Sequence, residues 1–215
     1  MVLRVVLCLL AFPLLGSVLL AQTGDSLRRL EVGVGGGVLL HELEFLPSDT
    51  VYGNLQRNNY ALMLRYFDNK LVGFQAEVGI VEAGWSQEID ARLADYERRL
   101  RFIDLQLFTQ LSIGNRAFQP LLQAGPYLSV PIADEQRIPE GGQLPQEYLG
   151  EDLPFRLNYG AQVGLGFNLT LGPVTLQADG RYLLGFTDVI PTRTGGVISS
   201  RRRAIGGHAA LLLRL

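Results

Sequence analysis

From residue 155 to residue 168 the chain alternates without a break. Phe155, Leu157, Tyr159, Ala161, Val163, Leu165 and Phe167 are apolar, while Arg156, Asn158, Gly160, Gln162, Gly164, Gly166 and Asn168 are polar or glycine. A period of two is the signature of a β-strand with one apolar face. Residues 30–41 repeat it, with Leu30, Val32, Val34, Val38 and Leu40 set against Glu31, Gly33, Gly35, Gly37 and His41. The same pattern runs through 59–67, 71–81, 101–113, 118–130, 174–184 and 203–215, so the chain predicts eight strands and no long helix.

The connections alternate in length. Three are tight, at Asp68-Asn69-Lys70, Gly114 to Ala117 and Thr170-Leu171-Gly172-Pro173, and carry residues that turns favour. Four are long, at about 45–58, 86–99, 131–154 and 186–202. Short turns at one rim and long loops at the other predict an all-β, eight-stranded antiparallel up-and-down barrel with both termini on the short-turn side. Within the loop at 86–100, Ile89, Leu93, Tyr96 and Leu100 have helical spacing behind Ser86, which leaves a short helix and an irregular loop both open there.

Which face points inward follows from the glycines. They number 25 in 215 residues, roughly 12% where about 7% is usual, and many lie on the polar face. Eight strands enclose a lumen that only side chains can fill, so small neighbours beside Glu31, Arg65, Glu77, Asp104, Arg156, Asp179 and Arg181 place these charges inside. Pairs such as Glu31 or Glu77 with Arg65, or Asp179 with Arg156, are then expected to plug the barrel, because buried charges require partners. The apolar face is left for lipid, and the barrel is expected to be transmembrane. Tyr66, Phe118 and Phe167 near the tight turns, with Tyr60, Phe155 and Tyr182 nearer the long loops, read as two interfacial girdles.

The amino terminus fits that location. Met1 to Arg4 carries one positive charge, Val5 to Leu20 is apolar, and Ala21 offers a small residue for cleavage, so residues 1–21 read as a signal peptide. Residues 22–28 are then a short periplasmic segment and 29–215 the barrel. Cys8 is the only cysteine, which excludes a disulfide framework and cysteine-based zinc sites. A net charge of -2 supplies no general field for nucleic acid.

Several runs resemble a known family. Tyr96 to Leu105, Phe118-Gln119-Pro120, Ala124 to Leu128 and the glycine-rich strand Phe155 to Gly166 are similar to the PorT-like small outer-membrane β-barrel proteins of Gram-negative bacteria, barrels of OmpA/OmpX-like build. The resemblance implies an outer-membrane location; some members serve protein secretion and gliding. One departure is the terminal Leu215, where outer-membrane barrels usually end in an aromatic residue.

Candidate chemistry is sparse. Gly33 to Gly37 is followed by more strand instead of a lysine and a helix, so it is no phosphate loop. His41 lies near Glu42, Glu44 and Ser48 without a further catalytic partner, and two distant histidines, His41 and His208, make no metal set. Neither a cofactor nor a catalytic residue is expected. Of 19 basic residues 18 are arginine, and Arg98, Arg99, Arg101, Arg201, Arg202 and Arg203 gather at the outer rim, where forked guanidinium groups suit lipopolysaccharide phosphates or an acidic partner. Loop 131–154, with four prolines and six acidic residues, is too long for a passive turn and is the expected contact for an envelope or secretion-complex protein.

The expectation is therefore a plugged outer-membrane barrel acting as a structural or interaction component, accessory to secretion or envelope assembly. Two alternatives are a soluble lipocalin-like barrel for a small apolar ligand and a lipid-modifying outer-membrane enzyme. Fractionation separates soluble from membrane barrels: the protein should stay in the membrane pellet through carbonate washing and shift its gel mobility on heating. Release into the carbonate supernatant would exclude the membrane barrel.

Overall fold

The computed structural model describes residues 29–46, 52–69, 71–87, 96–114, 117–137, 157–189 and 199–215. The expected signal peptide and the segment 22–28 lie outside these. Eight strands follow in order: β1 (Arg29–Leu46), β2 (Tyr52–Phe67), β3 (Val72–Gln87), β4 (Tyr96–Ser112), β5 (Phe118–Arg137), β6 (Asn158–Leu171), β7 (Val174–Asp188) and β8 (Ser199–Arg214). Each pairs antiparallel with its neighbours, and β8 returns to β1 through a ladder from Glu31↔Arg214 to Leu46↔Ser199. Closure leaves no open sheet edge, the condition for crossing lipid with strands.

The tight turns have local causes. Asn69 accepts the amides of Leu71 and Val72 on its Oδ1 at 2.8 Å, which reverses the chain between β2 and β3. At the turn from β6 to β7, Gly172 sits at φ +63°, a conformation that side chains resist.

Stagger fixes the tilt. Starting at Phe167 on β6, successive partners are Ala178, Ala209, Gly36 and Tyr60. The row continues through Ile80, Ile103 and Val130. It re-enters β6 at Leu157, one step past the Ser129↔Asn158 pair and ten residues from its start. A row that climbs this far obliges the strands to lean across the bilayer.

The strands run from 14 residues in β6 to 20 in β5, all but β6 longer than the sequence pattern predicts. On β4 the outward residues from Ile113 to Ile103 carry no charge, and Arg101 is the first that does. That charge-free span matches the ~9–11 residues needed to cross at a tilt; the remainder of the strand projects beyond it. The projection takes both ends of the segment 86–100, where the sequence leaves a short helix open. Ser86 and Gln87 pair with Glu97 and Tyr96, and Leu100 pairs with Ala83 and Asp134, so this backbone is satisfied by a ladder instead. Residues 88–95 lie outside the described part.

The two faces separate as the alternation requires. Leu62 and Leu165 on the outside are 68% and 70% exposed, within a belt of exposed leucine, valine and isoleucine, while Glu31, Arg65 and Asp104 inside are 0% exposed. In water such a belt would be one contiguous apolar surface. A lipocalin-like barrel requires the reverse arrangement, so that alternative falls. Inward glycines stand where large side chains cross: a Cβ on Gly35 would lie 2.7 Å from the His208 ring, and one on Gly160 would lie 2.6 Å from Tyr127.

Of the girdle residues, Phe118 and Phe167 stack with ring centroids 5.5 Å apart. Tyr66 is half-buried, its hydroxyl 3.3 Å from Asp68. Tyr60 is the last outward apolar residue of β2 before Asn58. Tyr182 stands deeper than expected, with Leu184 and Phe186 above it before Asp188, and Phe155 lies outside the described residues.

Leu165→Arg, at mid-belt, should lower the unfolding free energy in lipid vesicles by about 2–4 kcal/mol, measured by urea titration. No loss would mean that this face does not meet lipid.

Candidate functional site: the arginine column of the lumen

Alternation aims one residue in two into the lumen, and closure brings charges from distant strands into contact. The result is a column of arginines, each held by a carboxylate and most by an aromatic ring.

At the short-turn end, Arg65 donates through Nε to Glu31 Oε2 at 2.9 Å, and its Nη2 contacts the same oxygen. Its Nη1 reaches Asn168 and Gln177, both at 2.9 Å. Arg29 adds a second cation to Glu31 at 2.9 Å. The guanidinium carbons of Arg29 and Arg65 lie 4.3 and 5.3 Å from the centroid of Phe67, within cation–π range.

At mid-lumen, Arg181 donates Nη1 to Glu77 Oε2 at 2.8 Å and Nη2 to Glu77 Oε1 at 2.9 Å, a forked pair. Its Nε reaches Asp179 at 2.5 Å. Its Nη2 also lies 2.8 Å from His208 Nδ1, and Phe108 supports it at 5.2 Å. Gln177 ties this level to the one below, since its Oε1 accepts from Arg65 while its Nε2 donates to Asp179 at 2.7 Å.

Towards the long loops, Arg202 binds Asp104 at 2.9 Å and Ser129 at 3.0 Å, and Ser129 donates to Asp104. The rings of Phe102 and Tyr127 lie 5.1 and 5.6 Å from its guanidinium carbon. Above it, Arg98 donates Nε to Asp134 at 2.8 Å, with Nη2 on the other oxygen. The side chains of Arg65, Arg98, Arg181 and Arg202 are at most 2% exposed.

The six described members of the predicted lumen set, Glu31, Arg65, Glu77, Asp104, Asp179 and Arg181, face the lumen, with exchanged partners. Glu31 meets Arg65 as expected, but Glu77 and Asp179 share Arg181, and Asp104 takes Arg202. Arg156 lies outside the described residues, so its expected pairing with Asp179 does too.

The rim set divides by parity. Arg98 and Arg202 point inward, because they share the face of Leu100 and Asp104 on β4 and of Ala204 and His208 on β8. Arg99, Arg101, Arg201 and Arg203 point outward, on two strands that do not adjoin. Arg99 is forked onto Glu97 at 2.9 and 3.0 Å, and that hydrogen bond raises the guanidinium pKa above its ordinary value. Arg101 touches Glu82 at 3.3 Å.

The aromatic supports Phe67, Phe102, Phe108 and Tyr127 were missing from the sequence reading. A signal was present, since Phe102 and Phe108 share even parity with Asp104, Gln106 and Gln110. Among the described residues no group of His, Cys, Asp and Glu could hold a metal ion. The side chain of His41 lies outside them.

Arg181→Met leaves two buried carboxylates without their shared cation and should cost about 3–5 kcal/mol of folding free energy. Adding Glu77→Gln should recover part of that loss in the same urea titration; two simply additive losses would show that the pair is not coupled.

The comparisons with known proteins agree with this architecture. A family model described as outer membrane protein beta-barrel domain matches residues 20–191. The outer membrane protein OprG from Pseudomonas aeruginosa superposes with a TM-score of 0.56 at 12% identity, over 87% of this chain and 97% of that one, a likeness of fold. Ail of Yersinia pestis covers 85% of this chain and 98% of its own at 10% identity with a TM-score of 0.45. The N-terminal barrel of Pseudomonas aeruginosa OprF covers 88% and 100% at 10% identity, also with 0.45. A search of curated proteins found no match.

Proposed function

The chain belongs to the outer membrane protein β-barrel family, and from that premise we propose a closed, non-conducting barrel of the Gram-negative outer membrane that acts through its long-loop end. The observation that supports closure is the arginine column. Its ion pairs and hydrogen bonds draw on β1, β2, β3, β4, β5, β6, β7 and β8, so an ion entering the lumen would have to separate buried pairs that have no water to replace them.

A sealed scaffold leaves the loops to carry function. The resemblance of Tyr96–Leu105 and Phe155–Gly166 to PorT-like barrels favours a role as a structural or interaction component, accessory to secretion or envelope assembly. The contact surface is what remains of loop 131–154 once β5 runs on through Pro131 to Arg137, the segment between Arg137 and the start of β6 at Asn158. The outward rim arginines Arg99, Arg101, Arg201 and Arg203 are assigned to acidic neighbours, foremost lipopolysaccharide phosphates. No catalytic step is assigned to the chain.

In planar bilayers with molar KCl the purified barrel should give no conductance steps; a stable open channel would contradict closure. Deleting residues 138–154 should abolish capture of its envelope partner while the heat-dependent gel shift persists, and undiminished capture would exclude that loop.

A further inference from the structure

The lipid-facing surface is not evenly convex. A groove of about 1230 Å³ crosses it, and most of the residues lining it are outward and apolar. Its course is the hydrogen-bonded row that starts at Phe167. Three consecutive members of that row, Ala178, Ala209 and Gly36, are small, and they form a floor between the rings of Phe167 and Tyr60. At the spacing of adjacent strands this floor is about 19 Å across.

Because the row climbs, the groove runs obliquely through the bilayer. Phe167 lies four residues from the end of β6 at the short-turn rim. The other end reaches Ile103 and Glu82, at the outer boundary of the charge-free belt, where Glu82 pairs with Arg101. The contact of Arg101 to Glu82 uses Nη2 alone, at 3.3 Å, and both side chains are more than 40% exposed. Among the described residues Nε and Nη1 of Arg101 have no protein partner, so N–H donors remain on both sides of the Glu82 contact at the head of an apolar trough.

We propose that this groove is a binding site for one outer-leaflet lipopolysaccharide molecule, an acyl chain lying along Ala178, Ala209 and Gly36 and a phosphate on Arg101. The proposal rests on the reading of the rim arginines as phosphate contacts and adds to it a place and an orientation. Hydrocarbon is the only medium at this depth, so an apolar chain is what fills the trough. The charge at the outer mouth selects an anionic headgroup, and the fork of a guanidinium suits phosphate. A second copy of the chain is disfavoured by shape, since a two-fold contact would set one concavity against another.

The test is native mass spectrometry of the full barrel in mild detergent with added hexa-acylated, phosphorylated lipid A as probe. Wild type should retain one probe molecule. Ala178→Leu/Ala209→Leu fills the floor and should lower retention about tenfold, the change expected for lost contact with about two methylenes. Ala209→Leu alone serves if the double variant does not fold, and Ala124→Leu, outward on β5 and away from the groove, should retain the probe as wild type does. Arg101→Gln should lower retention about threefold, the size of an exposed ion contact.

Equal retention by wild type and the filled variants overturns the groove; loss in Arg101→Gln would then leave the rim-phosphate reading standing alone. Loss on filling with full retention by Arg101→Gln overturns the headgroup contact. A wild-type dimer that carries no probe and that filling abolishes overturns the site in favour of a second copy.

Discussion

Everything in this fold answers to one constraint: an eight-stranded barrel has an interior wide enough for side chains and too narrow for bulk water. Charges placed there cannot be solvated and must be matched within the lumen. Arginine satisfies this geometry because its guanidinium is flat. A carboxylate engages its edge in a fork while a phenyl ring covers its face, as Glu77 and Phe108 do for Arg181. Three arginines, Arg65, Arg181 and Arg202, each on a carboxylate and beside an aromatic ring, follow one another up the barrel, and their partners come from strands far apart in the sequence.

That column explains the glycines as consequences. Large side chains crossing a narrow lumen need neighbours without a Cβ, which is why Gly35 faces His208 and Gly160 faces Tyr127. On the outside the same residue type has another effect: Gly207 meets nothing within 4 Å. Outward Gly36 lies beside Ala209 and Ala178 and lowers the surface into a trough. Inside, glycine admits protein; outside, it admits lipid.

How much of this was legible depends on whether parity or stagger decides it. Parity placed Glu31, Arg65, Glu77, Asp104, Asp179 and Arg181 on one face, and the structure puts all six in the lumen. Parity would also have separated Arg98 and Arg202 from Arg99 and Arg201; proximity along the chain obscured it. The pairing of Glu77 with Arg181 was not legible, because it spans 104 residues and depends on a stagger that no local pattern encodes. The extension of β3 and β4 past the belt was hidden for a different reason. From Glu97 to Arg101 both faces carry charge, so hydropathy no longer alternates although the ladder continues.

The central claim is that Arg65, Arg181 and Arg202 are paired and sealed from water in the folded barrel. The most direct measurement is hydrogen exchange at arginine Nε–H groups, followed by nuclear magnetic resonance of the protein in lipid bilayers. Arg65 and Arg181 donate Nε–H to buried carboxylates, and the Nε–H of Arg202, held on Asp104 through Nη2, is buried, so all three Nε–H signals should persist long after those of outward Arg101 and Arg201 have exchanged. Exchange of all five at the same fast rate would mean that water reaches the column, and would contradict the account.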